Sequence, residues 1–203
     1  MNYPVIPTEY QKDLYQPEWY ERDFFYSPDG IQEFPDHHCK MTWLTSLPFI
    51  QGVRNAIDIG CRDGEYTRYL FNHFQHVYCF DPRFRKYFPF NVDLTKVTHF
   101  RIPLGDSPNP ERLGRGTGKN MTDKVFYCLD DFNLQNIDYI KIDTDGYEMA
   151  NIKGGLKTIT RDWPVIVLEV FFERETLKYV TEELGYKIKA VCPRGWDHIL
   201  VKE

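Results

Sequence analysis

Two stretches of this chain end an apolar run in acids and glycines. One is Asn55-Ala56-Ile57-Asp58-Ile59-Gly60-Cys61-Arg62-Asp63-Gly64-Glu65-Tyr66-Thr67; the other is Asp138-Tyr139-Ile140-Lys141-Ile142-Asp143-Thr144-Asp145-Gly146-Tyr147-Glu148. Gly60 and Gly64, lacking side chains, allow a tight strand-to-helix turn and close approach of a ligand. The carboxylates beside them accept hydrogen bonds from hydroxyl or ammonium groups, or take a proton. In an open α/β sheet the carboxyl ends of the strands border the ligand crevice, so two such edges point to one site with a cofactor side and a substrate side. A third acid, Asp81, follows the apolar run His76 to Phe80. It lies about 20 residues beyond the first glycine, where a carboxylate can accept hydrogen bonds from both hydroxyls of a ribose. Pro82 cannot continue a strand ladder and holds Asp81 at its edge. Together these residues suggest an enzyme that uses a nucleoside cofactor.

The elements that must position them alternate between strand and helix, the signature of βαβ units and a mainly parallel sheet. Strands are expected at Ala56 to Ile59, His76 to Phe80, Thr98 to Pro103, Val125 to Leu129, Ile137 to Ile142, a central one, and Val165 to Val170, a continuous apolar run buried on both faces. Helices are expected at Tyr66 to Phe74, at Tyr147 to Ile159, closed near Gly154-Gly155 or continuing a turn beyond them, and at Glu173 to Leu184, the third capped by Gly185. A short helix or loop spans Phe84 to Val92. Tyr186 to Val191 and His198 to Lys202 flank the turn Pro193-Arg194-Gly195-Trp196 and form a closing hairpin. Ahead of the sheet, the spacing of Met41, Trp43, Leu44, Leu47 and Ile50 fits a helix from Asp36 to Ile50 with an apolar face over the first strand. Residues 1 to 36 are rich in aromatics and proline without periodicity and read as an irregular arm. The polar segment from Asp106 to Lys124 reads as a functional loop; its glycines fail the spacing of a phosphate loop.

Composition narrows the classes. With 203 residues, 42% hydrophobic and 27% charged, the chain suits one globular domain with an appendage, divided as residues 1–50 (arm and helix) and 51–203 (main domain). A net charge of -5 gives no general attraction to nucleic acid, and no apolar run has the length of a membrane span. The N-terminus carries no signal-like stretch, so a cytoplasmic setting is expected. Five scattered cysteines without CxxC spacing read as reduced thiols rather than as disulfides or a zinc site.

The chain resembles the FkbM family of methyltransferases over roughly residues 53 to 203. The likeness rests on Ile57-Asp58-Ile59-Gly60 with Gly64-Glu65-Tyr66-Thr67, on Phe80-Asp81-Pro82, on Leu129-Asp130-Asp131-Phe132, and on Ile140-Lys141-Ile142-Asp143-Thr144-Asp145-Gly146-Tyr147-Glu148 leading to Lys153-Gly154-Gly155. The resemblance implies an α/β, Rossmann-like, seven-stranded methyltransferase sheet, mostly parallel with an antiparallel last strand. It also implies S-adenosyl-L-methionine as cofactor and methyl transfer to a small-molecule or sugar-like oxygen acceptor. Arg62 stands where the family usually has a small or amide residue, and Thr144-Asp145-Gly146 replaces the usual Val-Glu-Gly.

On that resemblance Asp58, Gly60, Gly64, Asp81 and Asp106 belong to the cofactor side, with Asp58 toward the cofactor's ammonium and Asp106 beside its adenine. Asp143, Asp145 and Glu169 belong to the reaction side. Methyl transfer is an in-line displacement that depends on alignment, and a carboxylate can serve as base for an alcohol. Asp145 and Glu148 also have capping-box spacing at a helix start. Asp143 and Glu169 could hold a divalent cation, but Val170-Phe171-Phe172 offers no third ligand, so no metal is expected. Of the six histidines, His37 or His38 could close over the crevice as a base. Two other classes compete: a nicotinamide-dependent oxidoreductase, against which the Gly60 to Gly64 spacing speaks, and a non-catalytic binding or scaffold protein on a methyltransferase fold, which Arg62 favours.

Overall fold

The computed structural model describes residues 38–83, 85–113, 124–171 and 174–203, together with the backbone of two short strands at 24–27 and 30–33. Most of the aromatic arm, His37, Phe84, the glycine-rich loop at 114–123, and Phe172 with Glu173 lie outside the described residues.

The two short strands, β1 (Phe24–Ser27) and β2 (Gly30–Glu33), pair antiparallel as a hairpin of their own. The sequence reading expected only irregular structure there. The signal was local: Ser27-Pro28-Asp29-Gly30 is a turn sequence between two short stretches.

The main sheet has seven strands: β3 (Asn55–Ile59), β4 (His76–Phe80), β5 (Val97–Phe100), β6 (Ile137–Ile142), β7 (Val165–Glu169), β8 (Tyr186–Val191) and β9 (Asp197–Lys202). Their spatial order is β5-β4-β3-β6-β7-β9-β8. The first five are parallel, and β9 runs antiparallel to both β7 and β8. Strand β7 is apolar up to Glu169, and β6 is apolar apart from Asp138 and Lys141, because helices cover both faces, as parallel sheets require. Residues Val165 to Leu168 are all buried.

One face of the sheet is covered by α1 (His38–Ser46) and α2 (Thr67–His73), whose Trp43, Leu70 and Phe71 pack with Tyr139, Val165 and Val167. A short helix, α3 (Phe88–Asn91), joins the same cluster through Phe88. The other face carries α4 (Glu148–Gly154), α5 (Leu156–Asp162) and α6 (Glu175–Lys178, widening into a π turn over Tyr179–Glu183), where Ile152, Ile159 and Val180 pack on Ile140, Ile166 and Leu168.

Two sequence expectations change. Val125 to Leu129 is not a sheet strand. Tyr127 makes an isolated parallel bridge with Leu104, and Leu129–Phe132 is a 3-10 turn. That turn presents the Asp130 carboxylate to the backbone N–H groups of Lys157 and Thr158, which donate to it at 2.9 Å each, so Asp130 caps the start of α5.

The buried face of α1 is the second change. It is Cys39, Thr42, Trp43 and Ser46, while Met41 and Leu44 are exposed. Half of that face is polar because its hydroxyls have buried partners. Ser46 accepts a hydrogen bond from the Tyr139 hydroxyl at 2.9 Å, and Thr42 donates to Asp197 at 2.6 Å. Trp43 is ringed by Tyr66, Tyr69, His73, Phe74 and Tyr139, which builds α1 into the domain's core.

Candidate active site

At the carboxyl ends of β3 and β6 an open hollow of about 390 Å³ is roofed by α1. Its lining includes His38, Cys39 and Thr42 from the helix, Asp58, Gly60, Arg62 and Glu65 from the first acid-glycine edge, and Lys141, Asp143 and Asp197 from the strands. The pleat explains the convergence. Alternate residues share a face, and parallel register puts Asp58 opposite Lys141, while Glu169 pairs with Asp197 across β7 and β9. Four acids and one lysine therefore rise from four adjacent strands.

Lys141 is the hub. Only 4% of its side chain is exposed, and its Nζ lies 3.1 Å from Asp143 Oδ2 and 3.4 Å from Asp197 Oδ1. Burial alone would push the ammonium toward neutrality, but Asp143, Asp197 and Glu169 outweigh it and hold the lysine charged, well above its ordinary range. Asp143 is the reciprocal case. Burial raises its carboxyl, while Lys141, a hydrogen bond with Glu169 and the charge of Arg62 bring it below the ordinary value. Glu169 is pushed up to about 9 by burial and by Asp143 beside it, so it is a neutral acid that donates to the Asp143 carboxylate. Asp58, fully enclosed, is raised to about 7 by burial, against the hydrogen bond it accepts from Thr67 Oγ1 at 2.6 Å. Burial and the charge of Arg194 lower the His38 imidazole below its ordinary range, against the pull of Asp197 and Asp143.

Gly60 has φ +89°, and a Cβ there would stand 1.8 Å from the Asp143 carbonyl oxygen. The glycine thus lets the end of β6 pass against the first loop, and in doing so brings Asp58 and Asp143 to one hollow. Gly64, also at φ +89°, faces Val92 at 2.7 Å and packs on α3 rather than lining the hollow. Arg62 adopts φ +48° and reaches Glu65 at 3.7 Å. Asparagine and glycine suit that left-handed backbone better than arginine does.

Asp81 ends β4, but its carboxylate is covered. Oδ1 accepts the Arg83 N–H at 2.8 Å, and Oδ2 accepts Arg85 Nε at 3.0 Å and Nη2 at 2.9 Å, leaving the side chain 4% exposed. Asp106 is exposed in the turn beyond β5, against Gly154 of α4, and does not line the hollow. Asp145 is exposed at φ +56°, outside the hollow, with its carbonyl accepting from Arg112 Nε at 2.8 Å. Glu148 accepts from the backbone N–H of Thr144 at 2.8 Å and of Gly146 at 2.9 Å, two amides of the turn ahead of α4. The helix starts at Glu148 with Tyr147 as N-cap and no side-chain cap bond, so Asp145 and Glu148 do not form the capping box that their spacing suggested. Among the described residues no three of His, Cys, Asp and Glu stand together as a metal site.

The sequence reading passed over Lys141, Asp197, Thr42 and Arg85. Lys141 had a signal, a lysine between two isoleucines of a strand buried on both faces. Thr42 had none.

A family model described as the methyltransferase FkbM domain matches residues 56–188, well over half of the chain. The chain belongs to the FkbM methyltransferase family. A comparison with curated proteins finds no match. Among solved structures, the FkbM methyltransferase from Methylobacillus flagellatus is similar with a TM-score of 0.54 at 17% identity, over 96% of this chain and 50% of that one. The present chain thus spans half the length of that relative. An O-methyltransferase from Bacillus cereus in complex with SAH has a TM-score of 0.52 at 16% identity, over 84% and 83% of the two chains. The precorrin 8W decarboxylase from Methanobacterium thermoautotrophicum has 0.55 at 13% identity, over 89% and 97%. At such identities these likenesses show the fold. The FkbM family is one of methyltransferases, and membership in it implies S-adenosylmethionine as methyl donor. The hollow suits such a donor: its acids outnumber its one buried lysine, and a sulfonium with an ammonium is cationic.

Proposed function

We propose that this FkbM-family protein transfers a methyl group from S-adenosylmethionine to an oxygen of a small, sugar-like acceptor, in the cytoplasm. The observation that carries the reading is the convergence of Asp58, Asp143, Glu169 and Asp197 around Lys141 beside the Gly60 loop. When bound, the cofactor supplies an electrophilic methyl on a cationic sulfur. Asp58 and Gly60 hold its amino-acid end; Asp81 takes the ribose, with Gly64 supporting the turn and Asp106 on the adenine side. Asp143 faces the acceptor and orients its hydroxyl. An oxygen that gains a methyl becomes strongly acidic before it loses its proton, so a carboxylate below the ordinary range still suffices to accept that proton. Glu169, neutral and hydrogen-bonded to Asp143, fixes the carboxylate's direction. Asp145 contributes through the turn that ends the strand.

The test is binding followed by turnover. S-adenosylmethionine at 100 times its dissociation constant is expected to add about 2.7 kcal/mol of stability in a thermal-shift experiment. Asp81→Ala is expected to weaken that binding with the fold intact. No shift at saturating cofactor would refute the proposal.

The cover over Asp81 favours a second reading, a protein that keeps the fold but binds cofactor weakly. Because Arg85 must leave Asp81 before a ribose can reach it, Arg85→Ala is expected to tighten binding by at least about fivefold, since roughly 1 kcal/mol is the upper worth of an exposed ion pair and this one is largely buried. Weaker binding in a calorimetric titration would show instead that Arg85 holds Asp81 in place for the ligand. Cofactor binding without product on any acceptor would favour the second reading.

A further inference from the structure

One buried polar atom facing the hollow has no hydrogen-bond partner. Asp197 stands at the start of β9, and its carboxylate is 8% exposed. Oδ2 accepts the Thr42 hydroxyl at 2.6 Å, while Oδ1 is buried without a hydrogen bond, its nearest cation being Lys141 Nζ at 3.4 Å. That ammonium is already engaged with Asp143 at 3.1 Å. Arg62, the other cation lining the hollow, is matched by Glu65 at 3.7 Å, so the lysine between the Asp143 and Asp197 carboxylates leaves one negative charge over. Asp197 also lies outside the stretch of chain that matches the family model.

We infer that Asp197 is a specificity-determining residue of this site, supplying the excess negative charge by which the hollow prefers the cationic sulfonium nucleoside to the neutral thioether left after methyl transfer. The inference rests on the methyl-donor reading above and deepens it. The two ligands share the adenosine, the amino group and the carboxylate; they differ by one methyl and one positive charge. Contacts to the shared parts act on both alike, so only a charge placed near the sulfur separates them. In a half-buried setting a full unit charge a few ångströms away is a large term, whereas in bulk water it would be screened. The consequence for turnover is direct: transfer of the methyl cancels the attraction that held the donor, and the spent nucleoside leaves more easily.

A rival account gives Asp197 a structural task, pinning α1 to the sheet through Thr42. Isothermal titration with S-adenosylmethionine and S-adenosylhomocysteine separates the two. The wild-type protein is expected to bind the sulfonium more tightly than the thioether. Asp197→Asn is expected to weaken the sulfonium by about tenfold and leave the thioether within about twofold, as loss of one partly shielded charge predicts. Thr42→Val, which removes the hydrogen bond and keeps the charge, is expected to leave the ratio of the two constants unchanged.

Equal weakening of both ligands by Asp197→Asn would overturn the inference and leave the methyl-donor reading standing. So would a wild-type protein that holds the thioether as tightly as the sulfonium, a comparison that needs no variant to fold. Binding of neither nucleoside would overturn the methyl-donor reading, and this inference with it.

Discussion

Lys141→Met is expected to cost the fold about 3 kcal/mol, the lower end of the range for stripping a buried charge of its partner. Methionine fills much the same space, so lost packing is a small part of the effect. What remains is Asp197, almost wholly enclosed, and Asp143, one third exposed, with no cation between them. The lower end of the range applies because Asp143 can draw on water. The loss should depend on pH, and its sign follows from Asp143. In the wild-type protein that carboxyl is held below its ordinary value, so it contributes stability above the unfolded value near 4 and loses it as pH falls through the folded one. The variant lacks that contribution, and the gap between the two proteins should close on acidification below about pH 4. Urea denaturation at neutral and acid pH measures it. A gap of the same size at both would assign the effect to packing instead of charge.

Gly60→Ala is the second large effect. The new methyl would meet the Asp143 carbonyl oxygen at 1.8 Å and its carbon at 2.8 Å, and the residue would have to keep φ +89°. Backbone cannot swing aside as a side chain does, so either the end of β6 is displaced or the first loop is pushed off the sheet. A loss of at least about 4 kcal/mol is expected, with cofactor binding abolished in whatever remains folded. Gly64→Ala serves as the internal comparison. It has the same φ but a clash at 2.7 Å with Val92 Cγ1, the end of a side chain that can shift, and should cost about half as much. Equal thermal midpoints for the two variants would contradict this account of Gly60.

The sheet was legible in the sequence because its central strands are buried on both faces and so largely apolar; Val165 to Leu168 is apolar throughout, and Ile137 to Ile142 departs from it only at Asp138 and Lys141. The acids at the strand tips were legible in part. Asp143, directly after the buried run of β6, and Asp58, one residue before the end of β3, reach the hollow, whereas Asp81, placed alike after β4, turns to Arg83 and Arg85. What stayed hidden depends on pairing between distant parts of the chain. The roof helix was read by its apolar residues, yet Thr42 and Ser46 face inward because Asp197 and Tyr139 receive them. Nothing local to Asp81 announces that Arg85 folds back over it. Asp145 sits in a motif beside a crevice acid, but the turn after β6 directs it to solvent. The strand expected at Val125 to Leu129 gave way to a turn because Asp130 is needed at the start of α5.

The family match runs from residue 56 to residue 188, yet the hollow borrows its ceiling from α1 on one side of that span and a wall from β9 on the other. Trimming the gene to the borders of the match would therefore leave a lectern without its book-rest: the stand for the nucleoside would survive, while the ledge that Thr42 and Asp197 make between them would be gone. A chain can therefore match the family from end to end of that span and still lack the ledge, since neither Thr42 nor Asp197 lies within it.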